Sequence, residues 1–97
     1  MVTLPPKDRE PTRSETRQVL IWLIDGTITP EAADEWAVNW IINDDYLEVK
    51  DLVVWNLLTH LNGADLQNAP GEYLHNTENY KQWLREFDEQ INKDPHI

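Results

Sequence analysis

From Ser14 onward the chain alternates apolar clusters with polar breaks, four times over. The first cluster is unbroken: Val19-Leu20-Ile21-Trp22-Leu23-Ile24. Six apolar residues in a row suit a buried strand as well as a helix, and periodicity does not separate the two. The flanks favour a helix over 14–25, because polar helix formers precede the run, Gly26 follows it, and no other segment reads as a partner strand. The second cluster is plainer. Thr29 is a good N-cap, Pro30 suits the first helical position, and Glu31 complements the positive end of the helix dipole. Ala33, Trp36, Ala37, Trp40 and Ile41 then fall on one stripe, up to the polar Asn43-Asp44-Asp45.

The third cluster predicts a helix over about 49–61, apolar around most of its circumference and so central in its bundle. Asn62-Gly63 should stop it, with Gly63 in the left-handed capping conformation. The connection ADLQNAPGEYLHN is longer than most helix–helix loops. It is expected either to carry function or to pack on itself through Leu66, Tyr73 and Leu74. Asn76 or Thr77 caps the fourth helix, whose stripe is Tyr80, Trp83, Leu84, Phe87 and Ile91. The sum is an all-α fold: a compact four-helix bundle in one domain, residues 14–97. Residues 1–13, with Pro5, Pro6 and Pro11 among charges, read as a flexible tail, tied down at most by Val2 and Leu4.

The corner between the first two helices spells DGTIT, a string at home in calcium loops. Such a loop needs oxygen ligands at positions 1, 3, 5 and 12 and a glycine at 6. Setting Gly26 at the glycine position puts Ile21, Leu23 and Ala32 where three ligands belong, and Glu31 one residue short. The string therefore reads as a turn: Gly26 ends one helix, Ile28 packs across the corner, and Thr29-Pro30 begins the next.

Composition narrows the chemistry. There is no cysteine, so no disulfide framework or thiolate site. Ser14 is the only serine and lacks a nucleophile-elbow setting. The glycines are isolated, which leaves no phosphate loop, and His60, His75 and His96 have no zinc-helix spacing. No catalytic constellation, cofactor or metal site is expected. With no signal-like or membrane-length apolar run, the chain reads as soluble and cytoplasmic.

Charge then shapes the picture. Eighteen acids face eight bases, a net charge of −10, and residues 18–80 carry the whole surplus, with Lys50 their only base. That field repels nucleic acid and anionic membranes and attracts basic partners. The bases Lys7, Arg9, Arg13 and Arg17, or Lys81 and Arg85, look too few to sustain phosphate contacts. The distinctive stretch is NDDYLEVKD: Asp44, Asp45, Glu48 and Asp51 surround Tyr46, a composition common in binding hot spots. Asp65, Glu72 and Tyr73 extend this candidate partner-binding patch.

DGTITPEAADEWA, VWNLLTHLNGADL and GEYLHNTENYKQWLREF together resemble segments of small acidic bacterial immunity proteins from contact-dependent inhibition and related polymorphic toxin systems. The resemblance implies a non-enzymatic inhibitor that binds a basic toxin domain, such as a nuclease, and blocks its active site or substrate surface. It carries over no individual binding residue. Alternative expectations are a small metal-dependent hydrolase built on His60, His75 and nearby carboxylates, and an adaptor subunit of a larger assembly.

Overall fold

The computed structural model describes residues 2–43 and 48–93. Four helices form: α1 (Arg13–Asp25), α2 (Pro30–Ile42), α3 (Leu52–Leu61) and α4 (Thr77–Lys93). A two-stranded hairpin, β1 (Gln67–Ala69) and β2 (Glu72–Tyr73), lies between α3 and α4. The fold is all-α, as its periodicity implies. No helix among the described residues is long and apolar enough to cross a membrane.

Each helix begins where its cap dictates. Thr12 Oγ1 accepts from the Glu15 N–H, while the Glu15 carboxylate accepts from the Thr12 N–H, a reciprocal capping box. Thr29 Oγ1 accepts from Ala32 N, with Pro30 in the first turn. Asp51 caps α3 by accepting from Val53 N, which sets the start of that helix at Leu52 and not at the expected Val49. Asn76 accepts from the N–H groups of Glu78 and Asn79, and Asn79 Oδ1 accepts from Asn76 N in return.

The DGTIT corner is a turn. Gly26 sits at φ 83°, open to a left-handed conformation because it has no Cβ, and Asp25 accepts from the Thr27 N–H and hydroxyl. Ile28 N returns to Trp22 O, and the Ile28 side chain packs on the core. Gly63 departs from expectation, because it does not take a positive φ. Tight turns close α3 instead, with Gly63 N bonded to His60 O and Ala64 N to Leu61 O. The glycine there makes room: a Cβ would stand 3.3 Å from the Leu66 side chain.

The core runs through all four helices. Leu20, Trp36, Trp40, Val54, Leu58, Leu61 and Phe87 are among its fully enclosed members. Trp36 and Trp40 meet edge to face, centroids 4.7 Å apart, an arrangement worth about 0.5–1.5 kcal/mol beyond burial. Both α1 and α3 touch every other helix, whereas α2 and α4 do not touch each other. The central position expected of α3 is therefore shared with α1. Its full apolar girth is also not enclosed, since Leu52 is 71% exposed. Leu66, Tyr73 and Leu74 are likewise exposed, so the long connection does not bury its apolar residues on itself; it makes the hairpin.

The N-terminal segment, expected as a flexible tail, lies along α2. Trp36 Nε1 donates to Pro5 O at 3.0 Å, Asn39 Nδ2 to Lys7 O at 2.7 Å, and Trp40 Nε1 to Arg9 O at 2.9 Å. Three alternate carbonyls thus meet donors spaced i, i+3 and i+4 on one helix face, and Pro11 is fully buried where the segment turns into α1.

Candidate functional site

Of the acids singled out from sequence, Asp51 lies inside the fold and not on its surface. Asp44, Asp45 and Tyr46 lie outside the described residues. Glu48 and Glu72 are exposed, and Asp65 is half-buried. Asp51 is buried: Arg13 Nε donates to its Oδ2 at 2.7 Å and Arg13 Nη2 to its Oδ1 at 3.2 Å. Burial pushes the Asp51 carboxyl up, but Arg13 and the N–H groups of Val53 and Val54 outweigh it and hold the group below its usual range. Asp51 is thus a helix cap and an ion-pair partner inside the fold.

Tyr73 stands at the end of the hairpin and its hydroxyl donates to Glu31 Oε2 at 2.6 Å, tying β2 to the first turn of α2. That bond, with burial and the charges of Glu31 and Asp65, raises the Tyr73 phenol above its ordinary value. Next to it opens a cleft of ≈ 540 Å³ between the Gly26 corner and the head of α4, lined by Leu23, Ile28, Pro30, His75, Thr77 and Tyr80 among others. A smaller cleft of ≈ 110 Å³ lies between α3 and α4, at Asn56, His60, Trp83, Glu86 and Gln90. His60 and His75 each set an edge against Trp83, with centroids 5.0 and 5.1 Å away, and His60 Nδ1 donates to Asn56 O. The two imidazoles thus flank the Trp83 ring, and among the described residues no three His, Asp or Glu side chains are grouped so as to hold a metal ion.

The bases show an order that net charge conceals. Seven of the eight fall on the N-terminal segment, α1 and α4: Lys7, Arg9, Arg13, Arg17, Lys81, Arg85 and Lys93. Helices α1 and α4 pack side by side, and Arg17 of α1 grips Asp88 of α4 through Nε at 2.9 Å and Nη2 at 3.1 Å. Nine acids sit on α2, α3 and the connections beside them, with Lys50 alone against them. Counted by element, α2, α3 and the connections beside them are strongly negative, whereas the N-terminal segment, α1 and α4 are close to balance.

Among the balanced elements Arg13 is held inside, and Arg9 and Arg17 are paired but keep nearly half their side chains in solvent. Lys81 reaches Glu78 only at 3.8 Å, a weak exposed pair. Lys7, Arg85 and Lys93 are exposed and make no ion pair among the described residues. Lys81 and Arg85 stand one helical turn apart on the outer face of α4. Among the described residues, this is where cations outside tight ion pairs line up on a rigid element. The α1–corner–α2 pair has the short Gly-containing turn of a helix-turn-helix unit. Its second helix, however, carries Glu31, Asp34 and Glu35 at its head, where a DNA-reading helix would enter the major groove between two phosphate backbones.

Comparison with known proteins supplies what no motif did. Residues 9–87 match the family model described as "YxzC DNA-binding protein". A relative in Bacillus subtilis (strain 168), described as "Uncharacterized protein YxzC", is 34% identical over 67 residues. The match takes in 69% of this chain and 54% of the relative, so the chain spans about half the length of the relative it matches. No solved structure matches.

These matches overturn the immunity-protein reading, and with it the toxin inhibitor acting on a basic protein partner and the exclusion of nucleic acid. The hydrolase and adaptor alternatives do not fit them either. The resemblance that suggested an immunity protein rested on helix corners and tryptophan positions, features that any small helical bundle of this composition shares. The exclusion of nucleic acid rested on the acidic surplus of residues 18–80 and on judging the remaining bases too few for phosphate contacts, and neither describes an individual face.

Proposed function

This chain belongs to the YxzC family, and from that premise we propose that it is a DNA-binding module whose contact surface is the α1–α4 side. The single observation that carries the reading is the family match over most of the chain. The distribution of charge supports the choice of face. Lys81, Arg85 and Lys93 on α4 are exposed and outside tight ion pairs, and these are the cations that meet phosphates. The acid-headed α2 points to a different use and is not the recognition helix. The protein acts by binding and not by catalysis, in the intracellular compartment that holds the DNA.

Magnitudes follow from the small number of cations. A contact through about three phosphates gives a slope of about −3 in log affinity against log salt, with dissociation constants on the order of 10⁻⁴–10⁻⁶ M for non-specific duplex. Repulsion from the acidic elements confines approach to one orientation, so the face is selected even though attraction is modest. Fluorescence anisotropy of a labelled duplex at low salt, titrated upward, tests the reading. Binding that weakens with about this slope supports it. No binding at low salt, or binding insensitive to salt, refutes it.

A further inference from the structure

The cleft between the Gly26 corner and α4 takes no part in the DNA reading, and its construction is that of a ligand site. At ≈ 540 Å³ it falls within the range of small-molecule pockets. Leu23, Ile28 and Pro30 give its lining an apolar part, and Tyr73, Tyr80 and His75 an aromatic one. Tyr80 is held by its hydroxyl, which donates to Ala64 O at 3.2 Å. Tyr73 is held by Glu31 on the facing helix, so this wall is anchored at both ends, through the hairpin and through α2.

The sign of the charge decides what such a cleft takes. The heads of α2 and α4 bring partial positive charge toward it, but Thr29 takes the Ala32 N–H, Asn76 takes those of Glu78 and Asn79, and Glu31 and Glu78 stand in the first turns. Full negative charges on Glu31 and Asp65 act on both cleft tyrosines: the bond to Glu31, then burial and these charges, push Tyr73 above its ordinary pKa, and burial, then these charges, push Tyr80 up. The negative contribution wins. An aromatic-walled, apolar cavity in a negative field is the setting in which a cation is held over ring faces while its body is buried.

We propose that this cleft binds a small organic cation, an amine with an apolar or aromatic body, with its charge beside Glu31 and Tyr73 and its body against Leu23, Ile28 and Pro30. The inference does not rest on DNA binding and survives or fails by itself. The test uses the full chain and three probes of one shape: phenylpropylamine, phenylpropanol and phenylpropanoate, titrated while backbone amide shifts are recorded. The amine should shift Gly26, Thr29, Thr77 and Tyr80 and bind about tenfold more tightly than the carboxylate. Glu31→Gln, at an exposed position that leaves Pro30 and Thr29 to start the helix, should remove most of that preference. Tyr73→Phe keeps the ring wall, releases the Glu31 carboxylate from its bond, and should leave amine binding equal or stronger. Absence of amine binding, equal binding of the carboxylate, shifts that fall elsewhere, or an unchanged preference in Glu31→Gln would each overturn the proposal.

Discussion

Arg13 and Asp51 lie 38 residues apart in sequence and meet in a two-pronged buried ion pair that joins the first turn of α1 to the cap of α3. Glu10 adds to the junction by accepting from Asp51 N at 3.1 Å. Arg13→Met should therefore be costly, by about 3–5 kcal/mol, because it leaves a buried carboxylate with only backbone N–H groups around it. Urea unfolding measures this. Arg13→Met combined with Asp51→Asn should lose less than the sum of the two single changes, since the second removes the charge that the first strands.

The docked N-terminal segment gives a second expectation. Trp36→Phe and Trp40→Phe each keep a large ring in the core but delete the indole N–H that holds Pro5 O or Arg9 O. Each should lower stability by about 1 kcal/mol for the missing hydrogen bond, with a further decrease for the smaller ring. Hydrogen exchange at Lys7 to Glu10 should quicken in the double variant while the amides of α3 stay protected. Equal protection of the segment in the double variant would show that apolar packing, through Leu4 and Pro11, holds it by itself.

Asp34 is half-buried with Asp65 and Glu35 close enough to act on it, and burial followed by those two charges pushes its carboxyl above the ordinary value. A carboxyl raised by folding weakens the native state wherever it is ionised, and the weakening lifts as pH falls through the folded pKa. Asp34→Asn should therefore raise the melting temperature by a few degrees at neutral pH, and the gain should fade in acid. A variant less stable than the parent at neutral pH would assign Asp34 a bonding role that the structure does not contain.

Glu15 behaves in the opposite sense. The Arg9 guanidinium, which donates to both carboxylate oxygens, and the Thr12 N–H prevail over desolvation and lower its pKa to about 2. Its contribution is fully present above the ordinary glutamate value and is lost as pH falls from about 4.5 to about 2. Because the Arg9 half of the pair stands partly in solvent, the effect is modest. Glu15→Gln should flatten the acid limb of the stability profile across that window while leaving the neutral plateau lower by a small amount.

How much of this was legible in the sequence depends on the reach of each determinant. Thr29-Pro30, Gly26 and the Tyr80–Trp83–Phe87 stripe act within one or two helical turns, and the helices they imply are those observed. The docking of residues 5–9 was not legible, because its partners Trp36, Asn39 and Trp40 lie about thirty residues away and bond to carbonyls, which any residue possesses. Asp51 read as one acid among many, since nothing local marks it as the mate of Arg13. Gly63 looked like a left-handed cap, but its lack of a side chain serves Leu66 instead. The candidate site suffered most. That seven bases lie toward the two ends of the chain was visible, but the packing of α1 against α4 was not, because it depends on contacts such as Arg17–Asp88, 71 residues apart.

The central claim is that α4 presents its outer face to DNA. Binding of a labelled duplex at low salt by the double variant Lys81→Glu, Arg85→Glu measures this most directly, because both side chains are exposed and neither supports the core. Affinity should fall by at least about tenfold, and the salt slope should become shallower by about two, one for each phosphate left without its cation. Unchanged affinity and slope in a variant that remains folded would contradict the account.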